Sequence, residues 1–253
     1  MDGPFAGIDI GSRSIELVVV DSRGKILLKQ ESDTGFDPMA EARRLLDGVA
    51  YDRMMATGYG RNLLEIAFEA RTVTEIKAHA IGARAFFPQA RNILDIGGQD
   101  SKAIALFDNG KVKKFEMNDR CAAGTGKFLE IMARTLGYDI AEFGREALLA
   151  EKDLTISSMC TVFAESEITS LIAKGENRRE IALGLHVSVI RRAAAMIQRV
   201  SSEGDIVFTG GVAKNPCMRT LLAQKLGGTV LYPDEPQFAG ALGAALLAKD
   251  LTP

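Results

Sequence analysis

Gly7-Ile8-Asp9-Ile10-Gly11-Ser12 opens a stretch of the chain that Ile93-Leu94-Asp95-Ile96-Gly97-Gly98 opens again further on. Asp95 follows Asp9 by 86 residues, and Lys111 follows Lys25 by the same interval. From the first loop the chain alternates through Ile15, Leu17 and Val19 to the turn Asp21-Ser22-Arg23-Gly24-Lys25. From the second it passes Ile104 and Leu106 to Asp108-Asn109-Gly110-Lys111, with a one-residue slip on the way. Each copy reads as a strand, a tight glycine turn, an alternating strand and a glycine-containing hairpin turn. The duplication predicts two related lobes whose hairpin turns face one ligand.

Glycines in such loops let backbone N–H groups approach phosphate oxygens with no Cβ in the way. An aspartate at the strand end can hold Mg2+, usually through water, because that small ion keeps much of its hydration. Asp9 and Asp95 are the candidates, and Ser12, Ser14, Gln99 and Ser101 add hydroxyl and amide groups to the loops. One Asp-Ile-Gly-Ser alone reads as a strand ending in a turn. Two copies in register, with Thr209-Gly210-Gly211-Val212-Ala213 after a third strand pattern, point to a nucleotide. P-loop and dinucleotide-binding glycine signatures are both missing from the sequence.

A chain of 253 residues can form one two-lobed unit or two modest domains. A net charge of −2 leaves no electrostatic footprint for nucleic acid. No apolar run reaches the roughly 18 residues of a membrane span, and Met1-Asp2-Gly3-Pro4 lacks the basic region and apolar core of a signal peptide. The expectation is a cytoplasmic α/β protein without a membrane partner. Strand patterns cover 5–30, 92–107 and 111–116, and helical patterns follow at 38–48, 74–87 and 125–136. Asn177-Arg178-Arg179-Glu180 has the form of a capping box opening a long helix. The lobes are expected at 1–88 and 89–253, with a last helix over 240–249 that can pack back on the first lobe.

Cys121, Cys160 and Cys217 are an odd and widely spaced set without a Cys-x-x-Cys pair, and a reducing cytoplasm disfavours disulfides. Cys121 lies in Asn118-Asp119-Arg120-Cys121-Ala122-Ala123-Gly124-Thr125-Gly126-Lys127-Phe128, and Cys160 in Ser157-Ser158-Met159-Cys160-Thr161-Val162-Phe163-Ala164-Glu165-Ser166-Glu167. Both sit at or just before a predicted helix start. There the unpaired N–H groups and the macrodipole stabilise a thiolate or an anionic cluster. Position alone leaves structural and ligating thiols both open.

The phosphate loops resemble those of the actin, Hsp70 and sugar-kinase superfamily of ATPases. That resemblance implies two RNase H-like lobes with ATP and Mg2+ in an interlobe nucleotide cleft. Gly11, Ser12, Ser14, Gly97, Gly98 and Gln99 would then contact phosphate, Gly210, Gly211 and Ala213 would carry the adenosine, and Gln237 would complete the nucleotide set. The sequences around Cys121 and Cys160 resemble, more closely, the activator ATPases of 2-hydroxyacyl-CoA dehydratases, in the BadF/BadG/BcrA/BcrD ATPase family. Further matches are Ala56-Thr57-Gly58-Tyr59-Gly60-Arg61, the loop from Asp95 to Asp100, and Gly240-Ala241-Leu242-Gly243-Ala244-Ala245.

The likeness covers essentially the whole chain. It implies a homodimer with one 4Fe-4S cluster on the dyad, Cys121 and Cys160 from each copy making up the four thiolates such a cluster takes. It further implies a partner 2-hydroxyacyl-CoA dehydratase, an upstream reductant such as ferredoxin or flavodoxin, Gln99 orienting the attacking water, and Cys217 filling space at a helix start. Members of the family commonly carry a lysine where this chain has Glu16, so that phosphate contact does not transfer, and Arg13 is the cation left to replace it. His79 and His186 read as packing residues on helices, and Arg178-Arg179 and Arg191-Arg192 as solvated helix faces. Three other readings stay open: the ATPase subunit of a benzoyl-CoA-reductase-like enzyme, a small-molecule kinase of the same superfamily, and a nucleotide-gated scaffold whose thiols are structural or bind zinc.

Overall fold

The structure, a computed structural model, describes residues 3–68, 70–152, 154–157, 160–201 and 204–251. Two five-stranded sheets repeat one strand order. The first half contributes β1 (Phe5–Ile10), β2 (Ser14–Val20), β3 (Ile26–Asp33), α1 (Pro38–Leu46), β4 (Arg53–Gly58), α2 (Arg61–Phe68), β5 (Arg71–Thr72) and α3 (Glu75–Phe86). The second begins with β6 (Asn92–Ile96), β7 (Ser101–Leu106), β8 (Val112–Asn118), α4 (Gly126–Thr135) and α5 (Ile140–Ala147). It continues through α6 (Thr161–Ala173), α7 (Arg178–Val200), β9 (Ile206–Thr209), α8 (Pro216–Leu226), β10 (Val230–Leu231) and α9 (Ala239–Lys249). The sheets run β3-β2-β1-β4-β5 and β8-β7-β6-β9-β10, each an antiparallel three-strand meander extended by parallel strands.

The repeat holds at atomic detail. Both second strands are bulged against the third at the same place, Val19/Val20 and Ala105/Leu106. In the first hairpin turn the Asp21 N–H donates to Lys25 O at 2.9 Å, and in the second the Phe107 N–H donates to Lys111 O at 2.9 Å. Phe107, and not Asp108, therefore occupies the place of Asp21. The expected one-residue slip is absent, because the hairpin geometry fixes the pairing and not the two aspartates.

Central strands here are buried on both faces, which is why they read as near-continuous apolar runs. One face of the first sheet (Ala6, Ile8, Leu17, Ala56) packs on α1 and α2 through Ala42, Leu45 and Leu64. One face of the second sheet (Leu94, Ile96, Ala103) packs on the large helical layer, to which α7 gives Ile181, Leu185, Val189, Ala193 and Ile197. Asn177 caps that helix by accepting from the Arg179 N–H at 2.9 Å.

The remaining two faces are covered crosswise. Phe5, Val18, Val20 and Met55 of the first sheet pack on Ala241, Leu242 and Ala245 of α9. Ile93, Ile104 and Val207 of the second sheet pack on Ala80 and Ala83 of α3. Each half thus covers its partner's sheet with its own last helix. The two helices cross so closely that a Cβ on Gly82 would overlap the Ala239 carbonyl, and one on Gly243 the Ala78 carbonyl.

Candidate nucleotide site and cysteine turns

Alternation along each strand decides what faces the space between the sheets. On β1, Phe5 belongs to the face that α9 covers, so Asp9, four residues on, shares that face; Glu16 follows from Val18 and Thr57 from Met55 in the same way. In the second sheet Ile93, Ile104 and Val207 place Asp95, Lys102 and Thr209 on the face that α3 covers. The two triplets, Asp9-Glu16-Thr57 and Asp95-Lys102-Thr209, are equivalent positions of the repeat, cross-strand partners in both sheets.

His79 of α3 lies between them, its Nδ1 3.2 Å from Asp95 Oδ1 and its Nε2 3.7 Å from Asp9 Oδ2. It is buried, and the sequence reading as a packing residue misses its place in the site. Lys102, 2% exposed, reaches Asp95 at 3.4 Å, Glu75 at 2.9 Å and Asp100 at 2.5 Å, while Thr209 donates to Asp95 Oδ1 at 2.8 Å. Burial alone would raise the Asp95 pKa, but His79 and Lys102 hold it well below the usual carboxylate range. Burial alone would lower the His79 pKa, yet the aspartates outweigh it and hold it up at about 9. Among the described residues no lysine pairs with Asp9, and burial pushes it up to about 7 against the pull of His79; Glu16, pushed by burial and then by Asp9, stands at about 8.

The loops above these residues meet. Gly11 N–H donates to Ser14 O at 3.0 Å and Gly97 N–H to Asp100 O at 3.0 Å, so both are the same tight turn. A Cβ on Gly98 would come within 2.7 Å of Arg13 Cβ and 3.2 Å of Ser12 Oγ, a close approach only glycine permits. In the third loop Gly210 has φ +82° and its N–H donates to Pro236 O at 3.0 Å; Gly211 is exposed and Ala213 buried. Gln99 is exposed at the tip of the second loop. Three predicted contacts point elsewhere in this state. Ser14 Oγ donates to Glu16 at 2.5 Å, Gln237 Nε2 donates to Glu31 at 3.0 Å, and Arg13 pairs with Asp33 at 2.7 Å and Glu130 at 3.8 Å.

Cys121 and Cys160 are exposed, and both stand at element starts: Cys121 precedes a short 3-10 turn at 122–124, and Cys160 is the N-cap of α6. Asn118 pins the backbone of Cys121 from both sides, accepting its N–H at 3.1 Å and donating to its carbonyl at 2.8 Å. Five residues later the start of α4 is tied to the second phosphate loop: Gly126 N–H donates to Gly97 O at 2.9 Å and Lys127 N–H to Gly98 O at 2.7 Å. Cys217 is fully buried, and its thiol is pushed up to about 12 by that burial, as suits a packing residue. His186 is likewise packing, its Nδ1 2.7 Å from Ala182 O. The arginines are more than solvated faces: Arg192 donates to Ala123 O at 3.3 Å beside the cysteine turn, and Arg178 donates to Leu136 O at 3.1 Å. Among the described residues no three His, Cys, Asp or Glu side chains form a metal-binding group, and no helix is long and apolar enough to cross a membrane.

A family model described as the BadF/BadG/BcrA/BcrD ATPase family matches residues 6–248. The activator of lactoyl-CoA dehydratase of Anaerotignum propionicum is 42% identical, over 96% of each chain. Among solved structures, component A of the (R)-2-hydroxyglutaryl-CoA dehydratase of Acidaminococcus fermentans is 38% identical, with 97% of each chain covered and a TM-score of 0.90. The activator of the 2-hydroxyisocaproyl-CoA dehydratase from Clostridium difficile, solved with bound ADPNP, is 35% identical, with 98% of this chain and 94% of that one covered and a TM-score of 0.88. A ROK family glucokinase from Streptomyces griseus shares the fold at 16% identity and a TM-score of 0.59. Two sheets of one topology, facing phosphate loops and these likenesses lead to one assignment: the chain belongs to the BadF/BadG/BcrA/BcrD ATPase family, on the two-lobed fold of the actin, Hsp70 and sugar-kinase ATPases.

Proposed function

We propose that this ATPase activates a 2-hydroxyacyl-CoA dehydratase by spending ATP to deliver one electron at low potential, as a homodimer reduced by a ferredoxin or flavodoxin. The observation that carries the reading is the backbone tie between the second phosphate loop and the start of α4, a few residues after Cys121. ATP in the cleft would bind the closed arrangement of the two lobes more tightly than the open one. That difference in affinity is all it can contribute to moving the cysteine turns. Through Gly97 and Gly98 the second loop carries α4 with it, and Asn118 fixes Cys121 to the end of β8.

Two exposed thiols per chain and a third that is buried suit a cluster shared by two copies, with Cys121 and Cys160 of each as its holders. When bound, a 4Fe-4S cluster supplies the one-electron redox chemistry. Asp9 and Asp95, at the ends of β1 and β6, would hold the magnesium of the nucleotide through water, and the buried Thr57 hydroxyl, which has no partner among the described residues, supports an oxygen-ligated ion there. Gln99 is the residue to orient the attacking water. Gly11, Ser12 and Gly98 present the backbone to phosphate, and Gly210, Gly211 and Ala213 line the adenosine side.

The test is anaerobic purification with iron, sulfide and mass determination. The expected result is a brown dimer with about four iron and four sulfide per two chains, and a Cys160→Ala variant that loses the iron while still binding ATP. A colourless protein, or full iron in that variant, overturns the assignment.

A further inference from the structure

The repeat makes a direct comparison possible. In the second sheet the carboxylate at the end of β6 has a lysine across from it, a histidine beside it and a threonine hydroxyl donating to it. In the first sheet the equivalent aspartate shares that histidine, at 3.7 Å, but faces a second carboxylate where the second sheet has a lysine. Asp9 and Glu16 are directly opposite on β1 and β2, 7% and 5% exposed. Cross-strand pairs of this kind hold their Cβ atoms about 4.5–5.5 Å apart, and like charges so placed repel. Among the described residues neither has a lysine or arginine within ion-pair distance; Lys214 of the third loop pairs with Glu31, at 3.6 Å.

The third member of the triplet gives independent information. Thr57 is fully buried, and its Oγ1 has no hydrogen-bond partner among the described residues. It is the cross-strand partner of Asp9 and faces the same way, while its counterpart Thr209 spends its hydroxyl on Asp95. A buried hydroxyl without a partner is costly, and strand alternation puts this residue on the sheet face that carries the carboxylate pair.

We propose that Asp9, Glu16 and Thr57 form a site for a hard divalent cation, Mg2+ or Mn2+, that fills before any nucleotide arrives. Resting on the ATPase reading above, it gives Glu16 a role toward the metal that a nucleotide-borne ion held only through water would not need. All the ligands are oxygens, two of them carboxylates, which is the donor set such ions select. The bound cation stands where Lys102 stands in the other lobe, and presents to the first phosphate loop the positive charge that the second loop has built in. The Ser14 hydroxyl, donating to Glu16, holds that carboxylate in place.

The probe is Mn2+, titrated into nucleotide-free, metal-stripped protein and followed by the electron paramagnetic resonance signal of the free ion. Wild-type protein is expected to remove one Mn2+ per chain from solution. E16Q should weaken that uptake at least tenfold. E16K, which copies the second lobe, should abolish it, and a thermal melt of each variant reports folding. Fluorescent ATP binding is followed in parallel. Wild-type protein that takes up no Mn2+ without nucleotide, or E16Q that binds Mn2+ like wild type, overturns the proposal. If ATP still binds in either case the ATPase reading survives, and if ATP binding is missing as well that reading falls with it.

Discussion

Behind the second phosphate loop a buried lysine sits among three carboxylates, Glu75, Asp95 and Asp100; behind the first, at the same place in the repeat, Glu16 faces Asp9. The strands that carry these residues share order, register and bulge, so at these positions the difference lies in the side chains. One lobe carries its countercharge as part of the chain and is complete as folded. Its twin has the opposite balance, two buried carboxylates face to face with the shared His79 3.7 Å from one of them. A duplicated fold can thus keep both copies of a scaffold while dividing the work, one half as a fixed electrostatic frame and the other as the half that responds to what enters the cleft.

The strongest way to break this comparison is to remove the resident cation. Lys102→Met leaves three carboxylates around a buried site with no lysine, and stripping one partner from such a network costs about 3–5 kcal/mol; chemical denaturation measures it, and a loss under about 1 kcal/mol would contradict the frame described for the second lobe.

Glu16→Gln should act in the reverse direction. The pKa values of Asp9 and Glu16 are raised on folding, so their contribution to stability is full below the unfolded values near 4 and is lost as pH rises through about 7 and 8. Without metal or nucleotide, wild-type protein should lose stability from about pH 5 to pH 9, and the variant should lose less, gaining on the order of 2 kcal/mol at the alkaline end. Parallel curves for the two proteins across that range would be the contrary result.

The finest probe is the threonine pair. Thr209→Val removes the donor to Asp95 and should cost about 1–2 kcal/mol, whereas Thr57→Val removes a hydroxyl with no partner and should cost less than about 0.5 kcal/mol in metal-free protein. Equal losses at the two sites would erase the asymmetry.

Much of this was legible in the chain, and what was not had physical causes. The glycine loops and the third Thr-Gly-Gly segment are local signals, set by backbone needs that only certain residues meet. Cys121 and Cys160 do stand before helical turns as their sequence contexts predict, a place that by itself leaves structural and ligating thiols both open. Lys102 does not, because a lysine in the alternating run Ser101-Lys102-Ala103-Ile104 reads as facing water, and the sheet face it points to is covered only by α3 from the other half. The 86-residue interval was the signal that could have found it, since it pairs Lys102 with Glu16. His79 is hidden for a related reason: an Ala- and Gly-rich helix announces close packing but not which sheet it crosses. Ser14 donates to Glu16 two residues on, whereas Arg13 and Gln237 pair with Asp33 and Glu31, partners that loop sequence alone does not announce.

The crosswise covering of the sheets also bears on how the molecule is made. The first sheet is complete in sequence by β5, yet its inner face waits for α9, at the far end of the chain. At ribosomal speeds of about 5–20 residues per second, that face stays uncovered for on the order of tens of seconds. Phe5, Val18, Val20 and Met55 are then a transient sticky surface on the nascent chain. A change that slows synthesis of α9, or weakens its Gly243 crossing, should therefore appear first as aggregation during expression and only later as lost activity.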